Sequence, residues 1–121
     1  MEDVKRWLPV VGWAVVIFIG SSIPGGDISP QIGMHDKIAH ATEYAIFGAL
    51  LARAFGVRRW WWAIIAGALW GVSDELHQTF TPQRSGNDLG DMTADLVGST
   101  IGATLWMLLL RRRRGDGTKS A

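Results

Sequence analysis

The chain has 121 residues, 48% of them hydrophobic, and a formal net charge of +1 at pH 7. This length suits a single domain, the nearly balanced charge gives no reason to expect a nucleic-acid partner, and the absence of cysteine excludes disulfides and thiol chemistry. The apolar residues form blocks, and several of the seven Trp lie at block ends, where a membrane interface suits an amphipathic ring.

Four apolar blocks follow one another along the chain, and each is long enough to cross a bilayer as a helix. They cover residues 7–23, 38–55, 60–80 and 92–110. The basic residues ahead of the first block also fit a signal peptide, but no small-residue cleavage site follows, so we interpret this block as the first span. The sequence therefore predicts an all-α fold, a four-helix transmembrane bundle.

The segments between the blocks have the composition of turns and loops. Two prolines and two glycines lie within residues 24–30, and residues 81–88 are a polar loop. Residues 55–59 form so short a connection that the flanking helices are expected to be antiparallel neighbours. We expect residues 1–110 to be the membrane domain and residues 111–121 to be a basic, disordered cytoplasmic tail.

Basic residues predict the orientation. If the N-terminus is cytoplasmic, ten lysines and arginines lie on the inner side, and Lys37 and Arg84 lie on the outer side. The inner ones are Lys5, Arg6, Arg53, Arg58, Arg59, Arg111, Arg112, Arg113, Arg114 and Lys119. Cytoplasmic loops carry an excess of Lys and Arg, so we place both termini in the cytoplasm. The loops at residues 24–37 and 81–91 then face outward.

Small residues recur every four positions on the second, third and fourth predicted helices. They are Ala41, Ala45 and Ala49, then Gly67 and Gly71, then Ala94, Gly98 and Gly102. Small side chains allow helix backbones to approach closely in a membrane. We interpret these positions as packing contacts.

The second predicted helix carries polar side chains on one face. Asp36, His40, Glu43 and Tyr44 are spaced i, i+4, i+7 and i+8, which places them on one side of a helix. Asp36 also suits the helix N-terminus, where the dipole favours an acid. His40 and Glu43 lie one to two turns into the span, where an ionisable side chain is costly unless it has partners.

The third and fourth predicted helices carry acids at the ends that meet the same side of the membrane. Glu75 and Gln78 share a face beside Asp74, and Asp91 and Asp95 share a stripe. With a rise of about 1.5 Å per residue, Glu75 lies roughly 22 Å from the inner end of its helix. We therefore expect these groups to meet the polar face of the second helix in one pocket near the outer leaflet.

These polar residues form motifs that resemble the VanZ-like family of bacterial membrane proteins, which is named for a teicoplanin-resistance protein. The motifs are Asp36-Lys37-x-x-His40-x-x-x-Tyr44, Ser73-Asp74-Glu75-x-His77-Gln78-x-Phe80, Pro82-x-Arg84-Ser85 and Asp91-x-x-x-Asp95-x-x-Gly98-x-x-x-Gly102. Gln83 departs from the glycine that is frequent in the family. The resemblance implies a multi-pass protein of the bacterial inner (plasma) membrane, tied to the cell envelope or to glycopeptide susceptibility. It supplies no mechanism.

The chemistry of the pocket suggests roles for its residues. His40 with Glu43 or Glu75 can act as a base and its orienting partner, so these three are the candidate catalytic residues. Arg84 can pair with a phosphate or carboxylate. The candidate substrate-binding residues are Asp36, Lys37, Tyr44, Asp74, Gln78, Arg84, Asp91 and Asp95. No residue is assigned as a metal ligand, and no cofactor is identified.

The first functional hypothesis is a cell-envelope factor that binds or modifies a lipid-linked or cell-wall substrate at the outer leaflet. A structural or accessory subunit, whose polar groups only join the helices, is the main alternative. A proton-linked transport element is less favoured, because the inner halves of the helices are apolar. A metal site built from His40, Glu43, Glu75, His77 and Asp95 is a further alternative. Whether the protein is an enzyme, and its oligomeric state, stay open.

Overall fold

A computed structural model describes residues 2–22, 30–80 and 89–119, and the side chains at 2–20, 38–77, 79–80, 90 and 92–115. The α-helices in these ranges are α1 (Glu2–Ser22), α2 (Pro30–Phe55), α3 (Trp61–Gln78) and α4 (Leu89–Lys119), with a 3₁₀ turn at Val57–Arg59. The described ranges contain no β-strand. The prediction of an all-α protein with four helices is confirmed.

Helix α4 extends well beyond its apolar block. It continues through four arginines to Lys119, where the sequence led us to expect a disordered tail from residue 111. Arginine is a good helix former, and positive charge near a helix C-terminus complements the helix dipole, so the helix has no reason to stop at its last apolar residue. The division of the chain at residue 110 stays a prediction.

The connection between α2 and α3 is the tight turn that the sequence predicts. Gly56 has a φ of +88°, a backbone conformation that glycine adopts at little cost. Its N–H donates to the Ala52 carbonyl at 2.9 Å, and its own carbonyl accepts from the Arg59 N–H at 3.1 Å. The turn reverses the chain within a few residues, and α2 and α3 pack against each other.

Helices α2 and α4 make the closest contact in the described structure. A Cβ added at Gly98 would overlap the Ala41 carbonyl oxygen, and one added at Gly102 would lie 2.6 Å from the Ala45 carbonyl carbon. On α2, a Cβ added at Gly48 would lie 2.8 Å from the Ser99 Cα. The small residues therefore act as the sequence predicts, since they let two backbones touch.

Helix α1 packs against α2 and α3 through aromatic side chains. Trp13 donates its indole N–H to the Glu43 carbonyl of α2 at 2.8 Å. Phe18 stacks on His77 of α3, with ring centroids 4.3 Å apart and the planes 24° from parallel. These contacts join α1 to α2 and to α3.

Apolar side chains run along the outside of the helices in continuous stripes. On α3, Leu69, Val72 and Leu76 are exposed at helical spacing. On α1 and α4 the corresponding residues are Val4, Leu8, Val11, Val15 and Ile19, then Ile101, Leu105 and Leu108. By length and composition, one described helix qualifies as a membrane span, at Met92–Gly115 with a mean hydropathy of 1.4. Soluble monomers rarely expose continuous apolar surface on this scale.

Candidate functional site

The polar side chains that the structure buries lie on α2, α3 and α4. His40 is 6% exposed, Glu75 is fully buried and Asp95 is 1% exposed. Asp74 on α3 and Ser99 on α4 are also buried. Removing an ionisable group from water is costly unless other polar groups compensate. Buried ionisable side chains on three helices are therefore expected to have polar partners.

Three of these side chains meet at one point. His40, Glu75 and Asp95 each offer one ligand atom, and these atoms all lie within 4.8 Å of one another. His40 Nδ1 is 3.1 Å from Asp95 Oδ1, which is hydrogen-bond distance. We call these residues the polar triad. The expectation that polar groups from three helices meet at a common level holds for the triad.

Close helix packing brings the triad together. Gly98 on α4 touches the carbonyl of Ala41, one residue after His40, so α2 and α4 are in close contact where their ionisable side chains lie. On α3, Gly71 is one turn before Glu75, and a Cβ at Gly71 would lie 3.0 Å from the Asp95 Cβ and Oδ2. A larger residue at Gly71 would push Asp95 out of the space it occupies, and one at Gly98 would push α4 away from the backbone of α2.

Tyr44 forms the wall of the site one turn along α2 from His40. Its ring is fully buried and meets Phe47 edge to face, with centroids 5.9 Å apart. Its hydroxyl interacts electrostatically with four carboxylates, those of Asp95, Asp74, Glu43 and Glu75. Within the described part of the chain, neither this hydroxyl nor Ser99 Oγ has a hydrogen-bond partner. Buried hydroxyls of this kind are ready to bind a ligand or an ordered water.

The other predicted site residues with described side chains lie outside the triad. Glu43 is half-buried, and its backbone carbonyl accepts the Trp13 indole N–H. Asp74 is buried next to Glu75 on α3. The His40 ring contacts Asp95 through Nδ1, and the hypothesis that Glu43 or Glu75 orients His40 stays a prediction. The catalytic and binding roles of all these residues stay predictions.

Several predicted site residues fall where no side chain is described. Asp36 and Lys37 lie within α2, Gln78 at the end of α3 and Asp91 near the start of α4, but only their backbones are described. Arg84 lies outside the described residues. The predicted roles of these five therefore stay untested by the structure.

The structure narrows the set of residues that can hold a metal ion. His40, Glu75 and Asp95 supply one imidazole and two carboxylates within ligand reach of a common point. His77, which the metal alternative included, instead stacks on Phe18 of α1. Sequence reasoning also missed the Trp13 contact to Glu43, because a tryptophan within an apolar block gives no sign of which carbonyl it will meet.

The helices and the triad together define a small helical protein with an apolar exterior and an ionisable centre. The family model described as VanZ/LLP1 matches residues 6–110. The match covers most of the chain, and the chain belongs to the VanZ/LLP1 family. The resemblance seen in the motifs is thus confirmed, and at family level it supports a membrane-associated cell-envelope protein of the teicoplanin-resistance type. No curated protein and no solved structure matches significantly.

Proposed function

We propose that this protein is a multi-pass protein of the bacterial inner membrane, with four transmembrane helices and both termini in the cytoplasm. In this arrangement the exposed apolar stripes on α1, α3 and α4 face lipid, where apolar side chains carry no penalty. Helix α4 has 31 residues, which is about 46 Å of helix and exceeds the hydrocarbon core of about 30 Å. Its arginines then extend beyond the core on the cytoplasmic side.

We further propose that the polar triad binds or chemically alters a lipid-linked or cell-wall substrate from the outer side. The observation that carries this is the burial of His40, Glu75 and Asp95 at one point between three helices. Glu75 is 14 residues from the start of α3 at Trp61, or about 21 Å, and in the proposed topology this depth corresponds to the outer half of the bilayer. Ionisable residues at such depth are usually functional.

The proposed topology predicts which ends of the helices are reachable from outside the cell. The chain has no cysteine, so single cysteines can be introduced at two exposed positions, Thr79 at the end of α3 and Gly115 near the end of α4. We expect a membrane-impermeant maleimide to label Thr79→Cys in intact cells, and Gly115→Cys only after permeabilisation. Labelling of Gly115→Cys in intact cells would contradict the proposed orientation.

The proposed role of the site predicts a loss of function without a loss of fold. Glu75→Gln keeps the shape of the side chain and removes its acid, so we expect cells that carry it to match cells lacking the protein in teicoplanin susceptibility. His77→Gln, on the same helix but outside the triad, is the matched control and should keep the wild-type effect. Membrane abundance and thermal unfolding in detergent show whether each variant is folded.

The Tyr44→Phe variant distinguishes a substrate site from a polar cluster that only stabilises the fold. The substitution removes one hydroxyl that has no hydrogen-bond partner in the described structure, so stability should be unchanged or slightly higher. A substrate site predicts a weaker envelope effect from this folded variant. If folded Glu75→Gln and Tyr44→Phe both keep the full effect, the proposed function is wrong.

The alternative of an accessory protein has one observation in its favour. The His40–Asp95 contact joins α2 to α4, and a satisfied polar network can specify helix packing by itself. It predicts that Glu75→Gln loses folded protein before it loses any function. A transport role has less support, because the buried residues of α4 beyond Ser99 in the described structure are Gly102, Ala103 and Met107, which give a proton no path inward.

A further inference from the structure

The polar triad has the composition of a metal site. We propose that His40, Glu75 and Asp95 bind one divalent transition-metal ion, with Zn²⁺ as the first candidate. Neutral imidazole and carboxylate are common Zn²⁺ ligands, and a site with three protein ligands keeps a position open for water or substrate. The chain has no cysteine, so thiolate coordination plays no part.

The distances in the triad suit an ion of this size. Two ligand atoms on a tetrahedral Zn²⁺, with bonds of about 2.0–2.1 Å, lie about 3.3 Å apart. His40 Nδ1 and Asp95 Oδ1 are 3.1 Å apart and so already stand at the separation of two ligands. The ligand atom of Glu75 lies within 4.8 Å of both. A movement of about 1.5 Å or less closes this gap, and a glutamate side chain can make it by rotating about its own torsions.

The charges of the triad also favour a dication. Two buried carboxylates close together repel each other strongly in a medium of low dielectric. Protonation of His40 compensates one negative charge, whereas a divalent ion compensates both and bonds to all three ligands. Groups that ligate a metal are usually held in place by the residues around them. Glu75 and Asp95 are held in this way, since both are almost completely buried.

A buried hydroxyl lies on the same face of α2 as His40. The Tyr44 hydroxyl has the carboxylates of Asp95 and Glu75 as electrostatic neighbours, and it has no hydrogen-bond partner within the described residues. It is suited to hold a water, or a phosphate or carboxylate oxygen, at the open position of the ion. The Ser99 Oγ instead faces Gly67 of α3. The idea that the ion binds an oxygen of a substrate rests on the proposed function. The existence of the metal site does not.

The test is metal binding by the purified full-length protein. The protein in detergent is stripped with a chelator, reloaded with Zn²⁺ or, in parallel, Mn²⁺, freed of excess ion, and analysed by mass spectrometry of the elements. We expect wild type to retain one ion per chain. Glu75→Gln and Asp95→Asn should each bind at least about tenfold more weakly. Asp74→Asn, a buried acid next to Glu75, and His77→Gln are matched controls that should keep the ion.

Two further measurements test metal binding without a triad variant, in case such a variant folds poorly. Co²⁺ bound to wild-type protein should give visible d–d absorption that Zn²⁺ displaces, and this needs no variant. Zn²⁺ should also raise the unfolding temperature of wild type and of Asp74→Asn, because an ion that binds the folded state stabilises it. Wild type that retains no ion overturns the inference, as does equal retention by all the variants, which would indicate adventitious binding.

The outcomes distinguish this inference from the proposed function. If wild type binds the ion but folded Glu75→Gln leaves teicoplanin susceptibility at the wild-type level, the metal site stands and the envelope role fails. If wild type binds no ion but Glu75→Gln abolishes the envelope effect, the metal inference fails and the substrate site stands.

Discussion

Gly102→Ala is expected to destabilise the helix bundle severely, although it adds a single methyl group. The new Cβ would overlap the Ala45 carbonyl oxygen of α2 and lie 2.6 Å from its carbon. The obstacle is backbone rather than a flexible side chain, so α2 and α4 must separate along their contact. Overpacking of this kind costs about 1–3 kcal/mol or more, and here we expect about 3 kcal/mol or more because a whole interface has to move.

The measurement is the free energy of unfolding in mixed detergent, followed by tryptophan fluorescence. Gly12→Ala is the matched control, because a Cβ at Gly12 meets nothing within 4 Å and alanine favours the helix. We expect the control to be as stable as wild type or more stable. If Gly102→Ala unfolds at the same denaturant concentration as Gly12→Ala, α2 and α4 do not touch at Ala45.

The sequence predicted this contact more reliably than it predicted the extent of the helices. Repeated glycines and alanines mark where two helices can approach, because only small side chains allow the backbone atoms of the two helices to come into contact. Helix ends carry no such mark in an apolar chain. Apolar length reports how much helix lies in lipid, whereas α2 begins at Pro30 and α4 continues to Lys119. Proline in the first turn and arginines in the last turns extend both helices beyond their apolar blocks.

The sequence predicts which face of each helix carries the polar side chains, but it does not predict which of these side chains contact each other. The spacing of His40, Glu43 and Tyr44 indicates one side of α2, and Asp95 lies on the α4 stripe that faces it. Which acid meets His40 depends on the axial offset between α2 and α4. Contacts such as Gly98 against Ala41 set that offset, and no rule of spacing within one helix contains it. The sequence suggested Glu43 or Glu75 as the group that orients His40, and the structure adds a contact between His40 and Asp95 that spacing did not predict.

The His40–Asp95 pair is expected to show strong energetic coupling. His40 is 6% exposed and Asp95 1% exposed, so truncating one leaves the other buried without its 3.1 Å partner. Breaking a buried ionic pair costs about 3–5 kcal/mol, much of it from the group left behind. Asp95→Ala should therefore destabilise the protein by about this amount when His40 is present, and by much less when His40 is already alanine.

A double-mutant cycle measures this coupling directly. The free energy of unfolding is determined for His40→Ala, Asp95→Ala and the double variant, with a chelator present so that metal binding does not contribute. We expect the double variant to be more stable than the sum of the single effects predicts, by about 1–3 kcal/mol. His77→Ala combined with Asp95→Ala is the control cycle, since His77 stacks on Phe18, and it should be additive within about 0.5 kcal/mol.

The sign and size of the coupling decide what the triad does for the fold. Additive effects of His40→Ala and Asp95→Ala would mean that the two side chains do not stabilise each other, and the pairing in the structure would be wrong. Coupling of several kcal/mol in the chelated protein would mean that the pair holds α2 to α4 without a metal ion. The proposed metal ion would bind the same atoms, so removing the ion and removing Asp95 should have partly overlapping effects on stability. Added Zn²⁺ should stabilise wild type but have little effect on Asp95→Ala.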